Sequence, residues 1–273
     1  MKKRYTIVFL LTVFAACKKD SNHTISTDPK EGLIKISEGY ALGAATKVEL
    51  WSQTTITTGH NKLFLALYDS LSNQSITKAG IQVLPVMDMD MNGMQMSHAA
   101  PCFQPESNQA ENTLFPCAAV FTMPGAAAGQ NKWSFKVTVK KEGQNNSAIA
   151  LLPLEVKASL PARVKMISTA DGAKLVVSCF LPANPKIGIN EMELTIHRQQ
   201  DKMTFLPVDD YVVSMTPEMP AMGHGSPNNI NPVITKNGRY KGKVNFTMTG
   251  EWRINLGLSK AGQNLNTFFD LTF

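Results

Sequence analysis

The stretch "GKVNFTMTGEWRINLGL", residues 242–258, decides the fold. It contains two alternating apolar–polar segments separated by a glycine-containing turn. In the second segment Trp252, Ile254 and Leu256 recur at every other position, and a period of two places such side chains on one face of a β-strand. The stretch therefore predicts two strands joined by a short turn.

The same pattern continues along most of the chain. Short segments rich in Val, Ile, Leu, Phe and Thr are separated by Gly, Pro, Asn and Asp at intervals typical of β-sandwiches. No stretch shows a long apolar period of 3.6 residues. A chain of 273 residues is long enough for two domains or one large one. We therefore predict an all-β protein.

An internal repeat indicates two domains. The segments "VFTMPG" and "KWSFKVTV" (120–139) correspond to "NFTMTG" and "EWRINLGL" (245–258). Each copy follows a Met-x-His motif, and aligning His98 with His224 also aligns Met96 with Met222. The repeat divides the chain near residue 157 into two related sandwiches, residues 32–157 and 158–273.

At these residues the sequence resembles the YtkA-like family of small exported β-domains. The second copy carries the resemblance best, in "MPAMGHGSP" (219–227) and "GRYKGKVNFTMTGEWRINLGL" (238–258). The first copy matches through Met96-Ser97-His98, Phe121-Thr122-Met123 and Trp133. The resemblance implies two tandem immunoglobulin-like β-sandwiches that often accompany metal-transport machinery, with no established catalytic chemistry. It does not identify a ligand.

The N-terminus predicts export and lipid anchoring. Basic residues precede an apolar run that is too short to span a bilayer and ends at Cys17. This resembles a bacterial lipoprotein signal over residues 1–16, with lipid attached to Cys17, although Phe14 replaces the usual leucine. The alternative is an ordinary secretory peptide with a chance cysteine. Residues 17–31 then form a polar tether, and we expect the protein in the bacterial cell envelope, held at the outer membrane or the periplasmic face by its lipid.

Charge does not favour nucleic-acid binding. The formal net charge is +6, and three of the positive residues, Lys2, Lys3 and Arg4, belong to the predicted signal. The other basic residues are scattered, with no basic stripe and no Gly-rich phosphate loop.

The segment "MDMDMNGMQMSH", residues 87–98, predicts a β-hairpin with a turn at Asn92-Gly93. With a type I′ turn, Met91 opposes Met94, Met89 opposes Met96, and Met87 opposes His98. All six side chains would share one face, whereas Asp88 and Asp90 would point away.

Neutral thioether sulfur favours Cu(I) over hard cations, and imidazole accepts either copper ion. We therefore predict two copper sites. The candidate ligands are Met89, Met91, Met94, Met96 and His98 in the first copy and Met219, Met222 and His224 in the second. Alternating methionines are also typical of a sandwich core, and this structural alternative stays open. For Met123 and Met248, which fall in predicted strands, core packing is favoured.

The cysteines and the other histidines suggest structural roles. Cys102 and Cys117 enclose a polar loop of an exported chain, which favours a disulfide, with metal thiolates as the alternative. Cys179 lies in an apolar run and is expected to be a buried, inert thiol. His60 and His197 are expected to be surface or hydrogen-bonded imidazoles.

No Ser–His–Asp order, paired catalytic carboxylates or Cys-x-x-Cys pair occurs in the sequence, so we do not expect an enzyme. The leading hypothesis is an envelope lipoprotein that binds copper for buffering or delivery to envelope metal-transport proteins. The alternative is a non-catalytic interaction module that docks on an envelope transport complex through adaptable methionines. Carbohydrate binding is least favoured, because no platform of clustered Trp and Tyr is present.

Overall fold

The computed structural model describes residues 28–91 and 93–273, except for the side chain of Met91. The predicted signal of residues 1–16, the lipidation site Cys17 and the tether up to residue 27 lie outside the described residues. In the described part, no helix has the length and hydropathy needed to cross a membrane. The chain forms antiparallel sheets arranged as two β-sandwiches, so the all-β prediction is confirmed.

The first sandwich consists of two sheets and a short 3₁₀ helix at Leu42–Ala44. Its strands are β1 (Ile34–Ala41), β2 (Thr46–Ser52), β3 (Gly59–Asp69), β4 (Ala79–Met91), β5 (Met94–Ala99), β6 (Cys102–Phe103), β7 (Phe115–Phe121), β8 (Lys132–Lys141) and β9 (Ala148–Leu154). One sheet has the order β1-β2-β3-β7-β6, and the other has the order β5-β4-β8-β9.

The second sandwich is built in the same way. Its strands are β10 (Val164–Ser168), β11 (Lys174–Phe180), β12 (Gly188–Gln199), β13 (Phe205–Pro207), β14 (Val212–Met219), β15 (His224–Gly225), β16 (Ile230–Lys236), β17 (Arg239–Phe246), β18 (Glu251–Lys260) and β19 (Gln263–Thr272). One sheet has the order β10-β11-β12-β17-β16, with β13 beside β12, and the other has the order β15-β14-β18-β19.

The strand orders of the two sandwiches correspond one to one. In immunoglobulin notation, β2-β3-β7-β6 is an A-B-E-D sheet and β5-β4-β8-β9 is a C′-C-F-G sheet. The strands β11-β12-β17-β16 and β15-β14-β18-β19 repeat this arrangement. Both halves are therefore immunoglobulin-like sandwiches, and the internal repeat has a structural counterpart.

In each core, one strand has a buried tryptophan at its second position: Trp133 in β8 and Trp252 in β18. Along β8 and β18 buried residues alternate with less buried ones, as the sequence pattern predicts. Trp133 is 0% exposed and Trp252 is 1% exposed. Burying a large apolar side chain contributes roughly 1.5–3 kcal/mol, so these alternating rows hold the two sheets of each sandwich together.

The two sandwiches pack against each other through a small apolar cluster. Phe103 and Val120 of the first contact Val176 of the second. The backbone N–H of His60 also donates to the Ser178 hydroxyl across this contact, at 3.0 Å. Strand β9 ends at Leu154 and strand β10 begins at Val164. The predicted boundary near residue 157 lies between these two strands.

The end of the predicted tether lies against the first sandwich. Residues 28–32 form turns before β1 begins. The Lys30 ammonium donates to the Tyr68 hydroxyl and lies 3.4 Å from a Glu49 carboxylate oxygen. The chain is therefore fixed to the domain a few residues before its first strand.

Candidate functional site

The hairpin formed by β4 and β5 has the register that the sequence predicts. Met91 pairs with Met94, Met89 with Met96, and Met87 with His98. Because side chains alternate along a strand, the members of these pairs whose side chains are described belong to one face of the ribbon. The predicted turn includes Asn92, which lies outside the described residues. The side chain of Met91 also lies outside them.

This face runs from the core to the solvent. Met87 is 1% exposed, Met89 and Met96 are half-buried, and Met94 is 65% exposed. Asp88 and Asp90 face away, as expected, and accept hydrogen bonds from neighbouring polar side chains of β5. The strand β5 is the edge of its sheet, so the row of donors lies at an open border of the sandwich.

The protonation pattern of His98 leaves one ring nitrogen able to act as a ligand. Its Nδ1 lies 3.3 Å from the carbonyl oxygen of Ala99, and because a carbonyl can only accept, Nδ1 carries the proton. Nε2 then presents a lone pair. Among the described residues this covered Nε2 has no hydrogen-bond partner. A backbone carbonyl that fixes Nδ1–H is the usual way in which a metal-binding imidazole is oriented.

Met87 links His98 to the tryptophan of the core. It pairs with His98 on one side and with Trp133 of β8 on the other. The rings of His98 and Trp133 meet edge to face, with centroids 5.8 Å apart. The Trp133 indole N–H donates to the carbonyl of Met123 at 3.1 Å, which fixes the indole.

The second sandwich repeats these contacts. Met219, which is 5% exposed, pairs with His224 across β14 and β15. The rings of His224 and Trp252 meet edge to face at 6.2 Å, and the Trp252 indole N–H donates to the carbonyl of Met248 at 3.0 Å. Each half therefore places a buried thioether, an imidazole and an indole together.

A glycine next to each tryptophan makes room for the methionine. A Cβ on Gly125 would lie 2.7 Å from the terminal methyl carbon of Met87. A Cβ on Gly250 would lie 2.8 Å from the same carbon of Met219. The end of each buried methionine side chain thus lies against the backbone of a glycine.

The remaining candidate methionines occupy different positions. Met222 is 57% exposed and lies in the turn between β14 and β15, where its N–H donates to the carbonyl of Met219. Met215, the other methionine of β14, lies in the second core and is not one of the candidate ligands. The core assignment of Met123 and Met248 is wrong: both follow the ends of β7 and β17 and are about one-third exposed, at 37% and 36%.

The donors at both places are methionine sulfurs and a single imidazole. Within residues 28–91 and 93–273, no three His, Cys, Asp or Glu side chains come together in a way that could hold a metal ion. Thioethers neither donate nor accept protons at ordinary pH, so the arrangement suits binding of a soft ion rather than acid–base chemistry.

The disulfide expected between Cys102 and Cys117 is not formed in this structure, where both are free thiols. Cys102 pairs with Ala119, two residues beyond Cys117 on the same face. Diagonal neighbours of this kind have Cα atoms roughly 7–8 Å apart, further than a disulfide usually spans. Burial raises the pKa of Cys102 to about 11 and that of Cys117 further, so neither is a ready thiolate. Cys179 is a buried thiol, as predicted, and burial raises its pKa to about 12.

Two histidines have a role that the sequence did not indicate. His60 and His197 are buried at the contact between the sandwiches, and their edges contact the ring of Phe103, at centroid distances of 5.8 and 5.1 Å. Burial, with the Arg239 guanidinium nearby, lowers the pKa of His60 to about 3 and that of His197 to about 4. Local strand patterns do not show which outer faces of two domains meet, so no sequence signal marked these residues.

Comparison with known proteins identifies the second half of the chain. The YtkA-like family matches residues 169–257. Residues 169–257 are therefore similar to a YtkA-like domain, as the sequence resemblance predicts. The match covers the whole Met219–His224–Trp252 arrangement, and the first sandwich, which lies outside it, has the same strand order. YtkA-like domains and immunoglobulin-like folds are typically non-catalytic.

Solved structures similar to the chain include the D0-D1 domain of Intimin, at 12% identity and a TM-score of 0.22, covering 81% of this chain and 95% of that one. Another is pT26-6p, at 8% identity and a TM-score of 0.26, covering 87% of this chain and 64% of that one. At these TM-scores neither similarity bears on how the YtkA-like domain works. No curated protein matches the chain.

Proposed function

We propose that this protein is an envelope lipoprotein that binds copper as Cu(I), one ion in each sandwich, and buffers it or passes it on. The observation that carries the proposal is the buried, unpartnered Nε2 of His98 opposite Met87, together with the equivalent pair of Met219 and His224. A buried lone pair without a hydrogen bond is costly unless a ligand satisfies it.

The chemistry of the donors favours Cu(I). Thioether sulfur is soft and uncharged, and a neutral imidazole adds one borderline donor, a combination that suits Cu(I) better than Mg²⁺ or Ca²⁺. Methionine also keeps its ligating form in an oxidising compartment, where thiols are converted to disulfides.

In the first sandwich the donors would be Met87, Met89, Met96 and His98. This proposed set includes the buried Met87, which pairs with His98, and leaves out the exposed Met94. In the second sandwich they would be Met219, which is buried, and His224. The second set has fewer half-buried sulfurs, so we expect it to bind more weakly.

Lipid anchoring completes the proposal. A lipid on Cys17 would hold the protein at the bacterial envelope, as several acyl chains give stable membrane attachment. Labelling with a radioactive fatty acid tests this directly, because the variant Cys17→Ser should lose both the label and the membrane association.

The copper proposal is tested by titrating the purified chain with Cu(I) in the presence of a competing chelator. Wild type should bind two ions with dissociation constants in the roughly micromolar range or tighter. His98→Ala and His224→Ala should each abolish one site and leave the other. Met166→Leu is the matched control, because Met166 is 49% exposed in β10, away from either histidine. A wild-type protein that binds no Cu(I) would refute the proposal.

The alternative role as an interaction module rests on the exposure of Met94 and Met222, at 65% and 57%. Adaptable methionines at a surface suit docking of a partner protein. Substituting Met87, Met89 and Met96 by leucine separates the two roles. Leucine keeps the apolar volume and would preserve docking, but it removes the sulfur and would abolish copper binding at the first site.

A further inference from the structure

Accessibility changes in the same direction at both candidate copper sites. In the first sandwich it falls from Met94, 65% exposed near the end of the hairpin, through the half-buried Met96 to Met87, 1% exposed. In the second, Met222 is 57% exposed in the turn, and Met219, whose carbonyl accepts from the Met222 N–H, is 5% exposed. Each site thus has one exposed sulfur followed by a buried one.

The imidazole that would complete the first site cannot be reached directly from solvent. Nε2 of His98 is covered, and Met87 beside it is enclosed between β5 and β8. An ion arriving from outside therefore meets the sulfur of Met94 before it meets any buried donor.

We propose that Met94 and Met222 are capture ligands, which take Cu(I) from a carrier with sulfur or other soft donors and pass it inward. This inference rests on the proposed copper binding. It assigns different roles to the methionines: the exposed ones control the rate of uptake, and the buried ones with His98 and His224 control affinity.

The transfer is a ligand exchange without redox change. A bond forms between copper and the Met94 sulfur as one bond between copper and the carrier breaks. Bonds to Met96, Met89, Met87 and Nε2 of His98 then replace the bond to Met94 and the remaining carrier bonds, and copper stays Cu(I) throughout.

Replacing an exposed methionine and replacing a buried ligand should change different quantities: the first the rate of copper uptake, the second the affinity for copper. Cu(I) bound to the chelator bicinchoninate serves as the probe, because its colour disappears when the protein takes the ion. In a stopped-flow experiment the double variant Met94→Leu/Met222→Leu should take up copper several-fold more slowly than wild type, with the same affinity at equilibrium. His98→Ala should lose equilibrium binding at the first site.

Met166→Leu is again the control, and its uptake rate should equal that of wild type. Both capture residues are mostly exposed, so their replacement by leucine should leave the thermal unfolding temperature unchanged, which a melting curve verifies. An unchanged uptake rate in the double variant would overturn the inference. A loss of rate matched by an equal loss of affinity would also overturn it, since the residues would then be equilibrium ligands. Absence of copper binding by wild type is a separate result, which refutes the proposed function itself.

Discussion

The two sandwiches share a central arrangement and differ at its border. Both place a buried methionine opposite a histidine and against an indole whose N–H is held by a methionine carbonyl. In the first, the edge strand β5 spans Met94–Ala99, whereas its counterpart β15 has only His224–Gly225. The buried methionine, the histidine and the indole are therefore common to both halves, and the additional sulfurs of the first hairpin are an extension that the second lacks.

The position two residues after the buried methionine shows the difference most clearly. In the first sandwich it is Met89, which packs against the core, and in the second it is Ala221, in the turn. A short edge strand cannot continue the alternating row, so beyond its buried methionine the second sandwich has only the exposed turn residue Met222. This difference is why we expect unequal copper affinities.

The largest expected effect tests whether the two tryptophans are equivalent. Trp133→Ala and Trp252→Ala should each lower the free energy of unfolding of their own sandwich by about 3–5 kcal/mol, because each removes a fully buried aromatic side chain. Urea unfolding followed by circular dichroism measures the effect. Trp51→Ala is the control and should cost less, since Trp51 is only half-buried. If one sandwich tolerated the loss of its tryptophan, the structural equivalence would not extend to stability.

Substituting the glycine beside each tryptophan, Gly125 or Gly250, should lower the free energy of unfolding by a smaller amount, for a different reason at each position. A Cβ on Gly125 would lie 2.6 Å from the Asn131 carbonyl oxygen as well as against Met87, and backbone cannot move aside. Gly250 has a φ of +131°, which L residues rarely adopt, and only the flexible end of Met219 nearby. We expect Gly125→Ala and Gly250→Ala to lower the free energy of unfolding by about 1–3 kcal/mol each.

A neutral substitution elsewhere serves as the control for this pair. A Cβ on Gly80 would make only ordinary contacts with Lys140, the nearest at 3.7 Å, so Gly80→Ala should change stability little. Combining Gly250→Ala with Met219→Ala separates crowding from backbone strain. If crowding by the methionine were the cause, the glycine substitution would become harmless in that background, contrary to our expectation.

Much of the first hairpin could be predicted from sequence. The period-two methionines and the Asn-Gly signal are local, and they are enough to predict the pairing of Met87 with His98 that the structure has. Likewise, the alternation after Trp133 and Trp252 predicted which side chains are buried. These features depend on neighbours in the chain, and for that reason a sequence pattern records them.

What could not be predicted depends on contacts between distant segments. Met123 and Met248 were expected in strands, but the strands end two residues earlier, because the main chain must turn so that each carbonyl can reach an indole N–H. The burial of His60 and His197 arises only when the outer faces of two domains meet. Whether a methionine packs in the core or is accessible as a ligand depends on the solvent exposure of its side chain. The local sequence pattern does not give this exposure.

The smallest expected effect concerns these two interface histidines, one contributed by each sandwich. Burial, and then the charge of Arg239, lowers the pKa of both; the ammonium of Lys62 adds to the effect on His60, whereas the Glu193 carboxylate lies 3.9 Å from its Nε2. The folded protein therefore holds both imidazoles neutral, with pKa values of about 3 and about 4 against an ordinary value of 6.5. Stability from this source is present above pH 6.5 and is lost as the pH falls towards the folded values.

The loss should reach about 1.4 kcal/mol for each histidine near pH 5.5. Chemical denaturation across the range from neutral to mildly acid pH measures it, and His197→Leu should flatten the dependence by removing one titrating group. His60→Leu should act in the same way from the other side of the contact. If the single variants and wild type lost stability in parallel on acidification, the titrating groups would lie elsewhere. A flattened curve in both variants would show instead that each sandwich contributes one imidazole to a contact that acid weakens.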